Sequence, residues 1–370
     1  MYKELISPIL DHLPSEEMHV AARRVLHFGQ RSSLGLALLE KFNYRGERFF
    51  DNRLNVNLSG VFLDNPVMVG AGWDKVGEAV IGLYALGFSG VEIGSVLADG
   101  QPGNPKPRQF VLGPGVVLNR LGFNSPGADV VAKNLSKPWG YRIPTGISIG
   151  INKWISPQDA PEAHAAVARR LYPYGSYFAI NVSSPNTPGL RALQDKEPLT
   201  NIVQAVNEVM SENERKKPLY IKIAPDLTLE AIDDVIQVAI DNRATGIIAT
   251  NTTNNPDIKG RYGDQWRDEP GGLSGDDPVF RKMSTTAVAH IFEVAGDKLT
   301  VIGVGGVKNA ETAWEKIAAG ATAVQLNTAI RGEGPTVAGR INRGLIELMD
   351  QRGVKNISDI VGQEAKKYLS

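Results

Sequence analysis

Cysteine is absent from the 370 residues, and that absence excludes disulfides, iron–sulfur clusters, thiolate zinc sites and cysteine nucleophiles together. Histidine is sparse. The five residues, at positions 12, 19, 27, 164 and 290, show no HExxH motif and no paired spacing, so no metal site is expected. Neither sign of charge prevails, because 40 basic residues balance 40 acidic ones, and no nucleic-acid footprint follows. No apolar stretch reaches the roughly 18 residues that span a bilayer. Asp11, His12, Pro14, Glu16 and Glu17 interrupt any secretory apolar region. The protein is expected to be intracellular and not to cross a membrane.

What is present is an ordinary globular balance, 42% hydrophobic and 22% charged, in a chain long enough for an α/β barrel of roughly 250 residues with additions. From residue 66 onward, short apolar runs alternate with helical patterns. The runs are Pro66–Gly72, Gly90–Val96, Thr145–Ile151, Tyr177–Val182, Leu219–Ala224, Thr245–Thr250, Leu299–Gly305 and Ala323–Leu326. Helical spacing follows at Glu78–Leu86, Pro161–Leu171, Asn201–Glu212, Leu229–Asn242, Pro278–Val294, Ala310–Ala319 and Thr336–Gln351. Near-continuously apolar strands alternating with helices predict a parallel sheet buried on both faces, and eight of them predict closure into a TIM (β/α)8 barrel. Val56–Leu58 and Val61–Leu63, joined through Ser59-Gly60, read as a hairpin closing the barrel bottom.

Residues 1–45 differ. Leu5, Ile6, Ile9, Leu10 and Leu13, then Met18, Ala21, Ala22, Val25 and Leu26, then Leu34, Leu38, Leu39 and Phe42 recur at helical spacing. They form an N-terminal amphipathic helical extension to the barrel of residues 46–370. It is either a cap packed on the barrel or a hairpin lying on a membrane, with Lys3, Arg23, Arg24 and Lys41 available to anionic lipid. Ser15 is expected to cap a helix, with Glu16 and Glu17 in its first turn.

Nearly every barrel strand ends in polar groups: Ala71-Gly72-Trp73-Asp74-Lys75, Gly94-Ser95, Asn181 to Asn186, Lys222, Thr250-Asn251-Thr252, Gly305-Gly306 and Asn327-Thr328, with Asn119-Arg120 in a long loop. Barrel enzymes keep their sites at this rim. The loop Asn181-Val182-Ser183-Ser184-Pro185-Asn186-Thr187-Pro188-Gly189-Leu190 is the most polar, and its two prolines limit its freedom. Taken alone it reads equally as a strand-to-helix turn. Gly275, Gly305-Gly306 and Thr328 can form a phosphate cradle, although a GVGG segment also makes a tight turn. Lys75 and Lys222, buried at a barrel mouth, would need anionic partners, which a flavin phosphate ligand and an anionic substrate would supply.

The 181–190 loop, together with Val91-Glu92-Ile93-Gly94, Gln101-Pro102-Gly103-Asn104-Pro105-Lys106-Pro107-Arg108, Asn119-Arg120-Leu121-Gly122-Phe123-Asn124, Lys222-Ile223-Ala224-Pro225-Asp226 and Thr250-Asn251-Thr252-Thr253, resembles class 2 dihydroorotate dehydrogenase. The likeness extends through Ile357-Ser358-Asp359-Ile360-Val361-Gly362 and covers almost the whole chain. It implies oxidation of dihydroorotate to orotate in pyrimidine biosynthesis, with FMN taking a hydride and a membrane quinone reoxidising it. It also implies a peripheral membrane protein on the cytoplasmic face, docked by its N-terminal helices.

By the same resemblance, Ser184 is the catalytic base, and Thr187 or an ordered water is the candidate proton relay. Lys75, Asn119, Asn181, Asn186, Asn251 and Thr252 match the substrate set, with the backbone of Arg120, Leu121, Gly122 and Phe123. Ala71, Gly72, Trp73, Asp74, Lys75, Ser95, Ser148, Asn181, Lys222, Thr250, Gly275, Gly306, Asn327 and Thr328 fall at the FMN set. A serine base and an N-terminal extension separate class 2 from class 1, which uses cysteine.

Four positions depart from the family pattern. Ser148 stands in place of an asparagine, Asn327 in place of a tyrosine, Val111 in place of an arginine, and Arg331 lies in a stretch that is mostly apolar or aromatic in relatives. The last three touch the acceptor side, so the acceptor's identity stays open. Two other readings compete: a different FMN-dependent barrel oxidoreductase, and a non-catalytic flavin-binding barrel that docks on a membrane or partner.

Overall fold

In the computed structural model, which describes residues 13–44, 50–136, 143–187 and 189–369, eight parallel strands close into a barrel. They are β3 (Val67–Val69), β4 (Val91–Val96), β7 (Thr145–Ile149), β8 (Tyr177–Asn181), β9 (Leu219–Ile223), β10 (Gly246–Ala249), β12 (Thr300–Val304) and β13 (Ala323–Leu326), each paired with its neighbours in that order and β13 with β3. All eight fall on the expected apolar runs. β4, β7, β8 and β9 are buried at every position, as a sheet between side-chain-filled interior and covering helices demands. Each fully buried Leu or Ile in this layer contributes roughly 1.5–3 kcal/mol.

The covering helices follow their amphipathic patterns. In Leu229–Asp241 the residues Ile232, Val235, Ile236 and Ala239 face the core, and the Thr228 side chain accepts from the Ala231 N–H at 3.2 Å to cap the helix. Asp277 does the same for Pro278–Ala295, accepting from Val279 and Phe280 at 2.8 Å. The helix expected from Asn201 begins earlier, at Lys196. The hairpin β1 (Val56–Leu58) and β2 (Val61–Leu63) is antiparallel. Its Ser59 hydroxyl meets that of Thr300, the first residue of β12, at 2.7 Å, which places it at the barrel's N-terminal end.

A three-stranded antiparallel sheet was not expected. β5 (Gln109–Gly113), β6 (Val116–Asn119) and β11 (Gly272–Gly275) run in the order β11-β6-β5, over their own cluster of Val116, Leu118, Ile258, Leu273 and Phe280. Gly272 pairs with Asn119, so Asn119, read as a loop residue, ends a strand beside the barrel mouth.

The first amphipathic segment, with Leu5, Ile6, Ile9, Leu10 and Lys3, lies outside the described residues apart from Leu13. The next two are helices α1 (Ser15–Gly29) and α2 (Ser33–Tyr44). α1 is held against the barrel. Leu26 joins the main core and rests on Gly82, where an added Cβ would come within 3.0 Å of the leucine's own Cβ. Arg108 grips Glu16 at 2.7 Å, and Lys106 meets Glu17 at 3.1 Å. Burial alone would raise the Glu16 carboxyl, but hydrogen bonding to Arg108 and its charge hold it below its usual range.

Two expectations for α1 are corrected. Ser15 is the first helical residue and makes no capping bond; it is buried and its hydroxyl accepts from Gln109 at 2.8 Å. Arg23 turns inward to Glu78 at 3.4 Å instead of facing lipid. Arg24 and Lys41 remain exposed.

Candidate active site

A single cavity of about 620 Å³ opens at the C-terminal rim of the barrel and continues beneath α1. Its deep end is polar. The β8 loop contributes Asn181, Ser184 and Asn186; the β10 loop contributes Thr250, Asn251 and Thr252; the small sheet brings Asn119. Ala71, Gly72, Trp73, Lys75, Ser95, Leu121, Gly122, Phe123, Lys222, Gly275, Gly306, Asn327 and Thr328 line the same space. The structure therefore gathers twenty residues anticipated from sequence around one hole.

Hydrogen bonds fix the β8 loop. Asn181 donates to Ser95 Oγ at 2.7 Å and accepts at Oδ1 from the Ser183 hydroxyl at 3.0 Å and from Asn251 at 3.2 Å. Arg191 reaches back to the Ser183 carbonyl at 3.1 Å and forward to Asp226 at 2.8 Å and the Thr252 carbonyl at 2.9 Å. One guanidinium thus ties the loops after β8, β9 and β10 into a rigid unit. Within it Ser184 is buried, and its Oγ accepts from the Asn186 N–H at 3.3 Å.

Asn186 donates to Asn119 Oδ1 at 3.2 Å. Its own Oδ1 is buried with no partner among the described residues, as is Thr187 Oγ1. A buried acceptor left unpaired costs about 1–3 kcal/mol unless a ligand donor meets it.

The cationic residues differ from one another. Lys75 donates to Asn124 Oδ1, and burial, followed by the charge of Arg108, pulls its ammonium down to about 7. Lys222 has a protein partner after all: Glu92 Oε1 lies 3.5 Å from its Nζ inside the barrel. The expectation that it needs a ligand anion for charge balance is thereby corrected. His19, on α1, bonds the Trp73 carbonyl at 2.5 Å, and burial takes it down to about 4, a neutral imidazole at pH 7.

Four anticipated residues do not reach the cavity wall. Asp74 is fully buried, and its carboxylate accepts from the N–H groups of Val76, Gly77, Glu78 and Ala79, so it shapes the loop that carries Lys75. Ser148 bonds Ser95 at 2.8 Å and acts from behind it. The Arg120 side chain points to Glu269 and the Pro107 carbonyl. Thr187 Oγ1 is buried and makes no hydrogen bond to Ser184 or to any other of the described residues. Among the departures from the family pattern, Asn327 and Arg331 line the cavity and Val111 does not; Asn327 donates to the Ala71 carbonyl at 2.9 Å. Gln109 and Gln325 were not anticipated, whereas the apolar face of α1 lines the cavity where the N-terminal helices were expected to cover an acceptor entrance.

The residues fit a flavin phosphate. Gly305 and Gly306 have φ of +122° and +72°, and a Cβ on Gly306 would lie 2.6 Å from Arg281 Cβ; their N–H groups donate to nothing among the described residues. Such an open pair of backbone donors suits an anion. At the floor, buried Gln325 Oε1 is an unpaired acceptor.

A parallel eight-stranded barrel with an anion cradle, a polar pocket and a fixed loop serine at its C-terminal rim defines a barrel oxidoreductase of the flavin type. The family model for dihydroorotate dehydrogenase matches residues 53–349, and the chain belongs to that family. It is 40% identical over 360 residues to a dihydroorotate dehydrogenase (quinone) of Natronomonas pharaonis, covering 97% of this chain and 98% of that one. A Myxococcus xanthus protein of the same name is 39% identical, at 98% coverage of both. Among solved structures, a ligand-free dihydroorotate dehydrogenase from Eimeria tenella superposes with a TM-score of 0.81 at 33% identity, covering 89% of this chain and 97% of that chain.

Proposed function

We propose that the protein oxidises dihydroorotate to orotate for pyrimidine biosynthesis, with FMN as cofactor and a membrane quinone as final acceptor. The observation that carries this reading is the continuity of one cavity, from the polar pocket around Ser184 to the apolar face of α1. A water-soluble reductant and a lipid-soluble oxidant would enter the same protein by different ends. When bound, FMN supplies the hydride acceptor for substrate C6.

Ser184 removes the C5 proton as the C6 hydride leaves. A serine hydroxyl is a weak base, so its proton must pass onward; the unpaired Thr187 hydroxyl, or a water beside it, is the relay this reading offers. Asn119, Asn181, Asn186, Asn251 and Thr252 hold the substrate's carboxylate, carbonyls and ring N–H groups. Lys75, protonated below about pH 7, adds attraction for the carboxylate. Gly275, Gly305, Gly306 and Thr328 would hold the phosphate, and Lys222 would sit by the ring, where its charge stabilises added electron density.

α1 and α2 form the acceptor entrance and the membrane contact. No described helix is long and apolar enough to cross a membrane, while Val25, Phe28, Leu34 and Leu38 are exposed on α1 and α2, beside Arg24 and Lys41. Such a surface suits interfacial docking, and we place it on the cytoplasmic face. Quinone-dependent reoxidation of substrate-reduced protein tests the whole reading; reduction by dihydroorotate without reoxidation by any quinone analogue would restrict it to the first half-reaction.

A further inference from the structure

Inside the barrel, below the cavity, lies a buried carboxylate, Glu92, that the mechanism above does not use, in contact with Lys222, which it does. Glu92 is fully buried in β4. Its Oε1 faces Lys222 of β9 at 3.5 Å; its Oε2 accepts from the Tyr177 hydroxyl of β8 at 2.9 Å and from Gln325 of β13 at 2.8 Å. None of those strands neighbours β4 in the barrel, so all three contacts cross the interior. Lys222 and Gln325 also line the cavity, whereas Glu92 and Tyr177 do not. The carboxylate therefore acts on the site through other side chains.

We propose that Glu92 is a positioning residue for the flavin site: its buried carboxylate holds the Lys222 ammonium in place at the cavity floor, and so favours the reduced cofactor. The proposal rests on the reading that this cavity holds a flavin.

Two comparisons inside the same molecule support it. Lys316 is fully buried and Lys75 is part-buried at the cavity wall, and neither has a carboxylate in ion-pair contact among the described residues. Lys316 bonds only the hydroxyls of Ser284 and Thr285 and the Arg281 carbonyl. Burial pulls both down to about 7. Lys222 differs in having Glu92. Removing one member of a buried pair strands the other charge, and a lysine relieves that cost by losing its proton. Tyr177 keeps Glu92 in register as a donor, since burial and then the Glu92 charge push its phenol well above the usual range.

The geometry also fixes a sign. If Glu92 acted on the cofactor directly, its negative charge would disfavour reduction, and removing it would raise the potential. Acting through Lys222, its removal lowers the potential.

The test is the midpoint potential of flavin bound to purified holoprotein, by dye equilibration at pH 8, for wild type, Glu92→Gln, Lys222→Met and the double variant. Glu92→Gln should lose about tenfold in the equilibrium favouring reduced cofactor, about 30 mV for a two-electron couple. In the Lys222→Met background the same change should add nothing. An unchanged or raised potential in Glu92→Gln, or an equal shift in both backgrounds, overturns the proposal. If Glu92→Gln does not retain flavin, Glu92→Asp, whose shorter carboxylate withdraws from Nζ, is read by the same criterion. Absence of flavin from the wild-type protein would instead overturn the flavin reading itself.

Discussion

Asn186 on the β8 loop donates to Asn119 at the end of β6 across 3.2 Å, and this bond joins the barrel to the small sheet laid over its mouth. The two amides come from different elements and both line the pocket, and each keeps polar capacity for a ligand. Asn186→Ala and Asn119→Ala should each weaken orotate binding roughly tenfold or more, because a hydrogen bond to a charged ligand is worth about 1.5–3 kcal/mol. Titration of the flavin spectrum with orotate measures this, and the flavin content of both variants should stay at the wild-type level.

Lys75 gives the pocket a pH dependence. Its ammonium is held at about 7 by burial, so above that pH the pocket loses a cation that attracts the substrate carboxylate. Orotate affinity should fall as pH rises from 7 toward 9 and level off once Lys75 is neutral, and this pH dependence should vanish in Lys75→Met. Stability responds in the opposite sense. Between about pH 7 and 10.5 the unfolded chain holds a proton at Lys75 that the native state lacks, so this residue's contribution makes the fold more stable as pH rises through that window.

Gly306 adopts φ of +72° with Arg281 Cβ only 2.6 Å from where a side chain would begin. Gly306→Ala forces either strain or displacement of the cradle. Purified Gly306→Ala should retain less than about a tenth of wild-type flavin, while its circular dichroism shows the barrel intact.

The Arg108–Glu16 contact at 2.7 Å pins α1 over the cavity. Arg108→Met should leave Glu16 half-buried with only the distant Lys106 ammonium at 4.0 Å, costing roughly 1–3 kcal/mol locally, and should expose the N-terminal helices to limited proteolysis. Deletion of residues 1–45 should impair quinone turnover more than substrate-driven flavin reduction. Equal losses in the two half-reactions would contradict an acceptor entrance at α1.

Much of this was legible because barrel strands buried on two faces read as unbroken apolar runs, and Ala179-Ile180 or Ile247-Ile248 permit little else. The β5–β6–β11 sheet was not, for a physical reason. Its strands are no shorter than several barrel strands, but β5 is half-exposed throughout, and Gly113-Pro114-Gly115 reads as a loop. Asn119 was recognised by its motif and misplaced in its element. Glu92 stood in plain view within Val91-Glu92-Ile93-Gly94. The available signal was a carboxylate in a strand otherwise apolar on both faces, which needs a buried cation, and Lys222 was already a candidate. Ser15 obeyed the statistics of helix starts yet serves Gln109 instead, since tertiary contact outweighed local capping.

The central claim is that Ser184 takes the substrate proton in this cavity. Anaerobic stopped-flow mixing of the flavin-loaded protein with dihydroorotate tests it most directly, by following the visible flavin band. The wild type should bleach rapidly, and Ser184→Ala, with its flavin retained, should bleach at least about a hundredfold more slowly, the usual scale for a general base. Bleaching of Ser184→Ala at a near-normal rate would contradict the assignment, and an unchanged oxidised spectrum in the wild type would contradict dihydroorotate as the substrate.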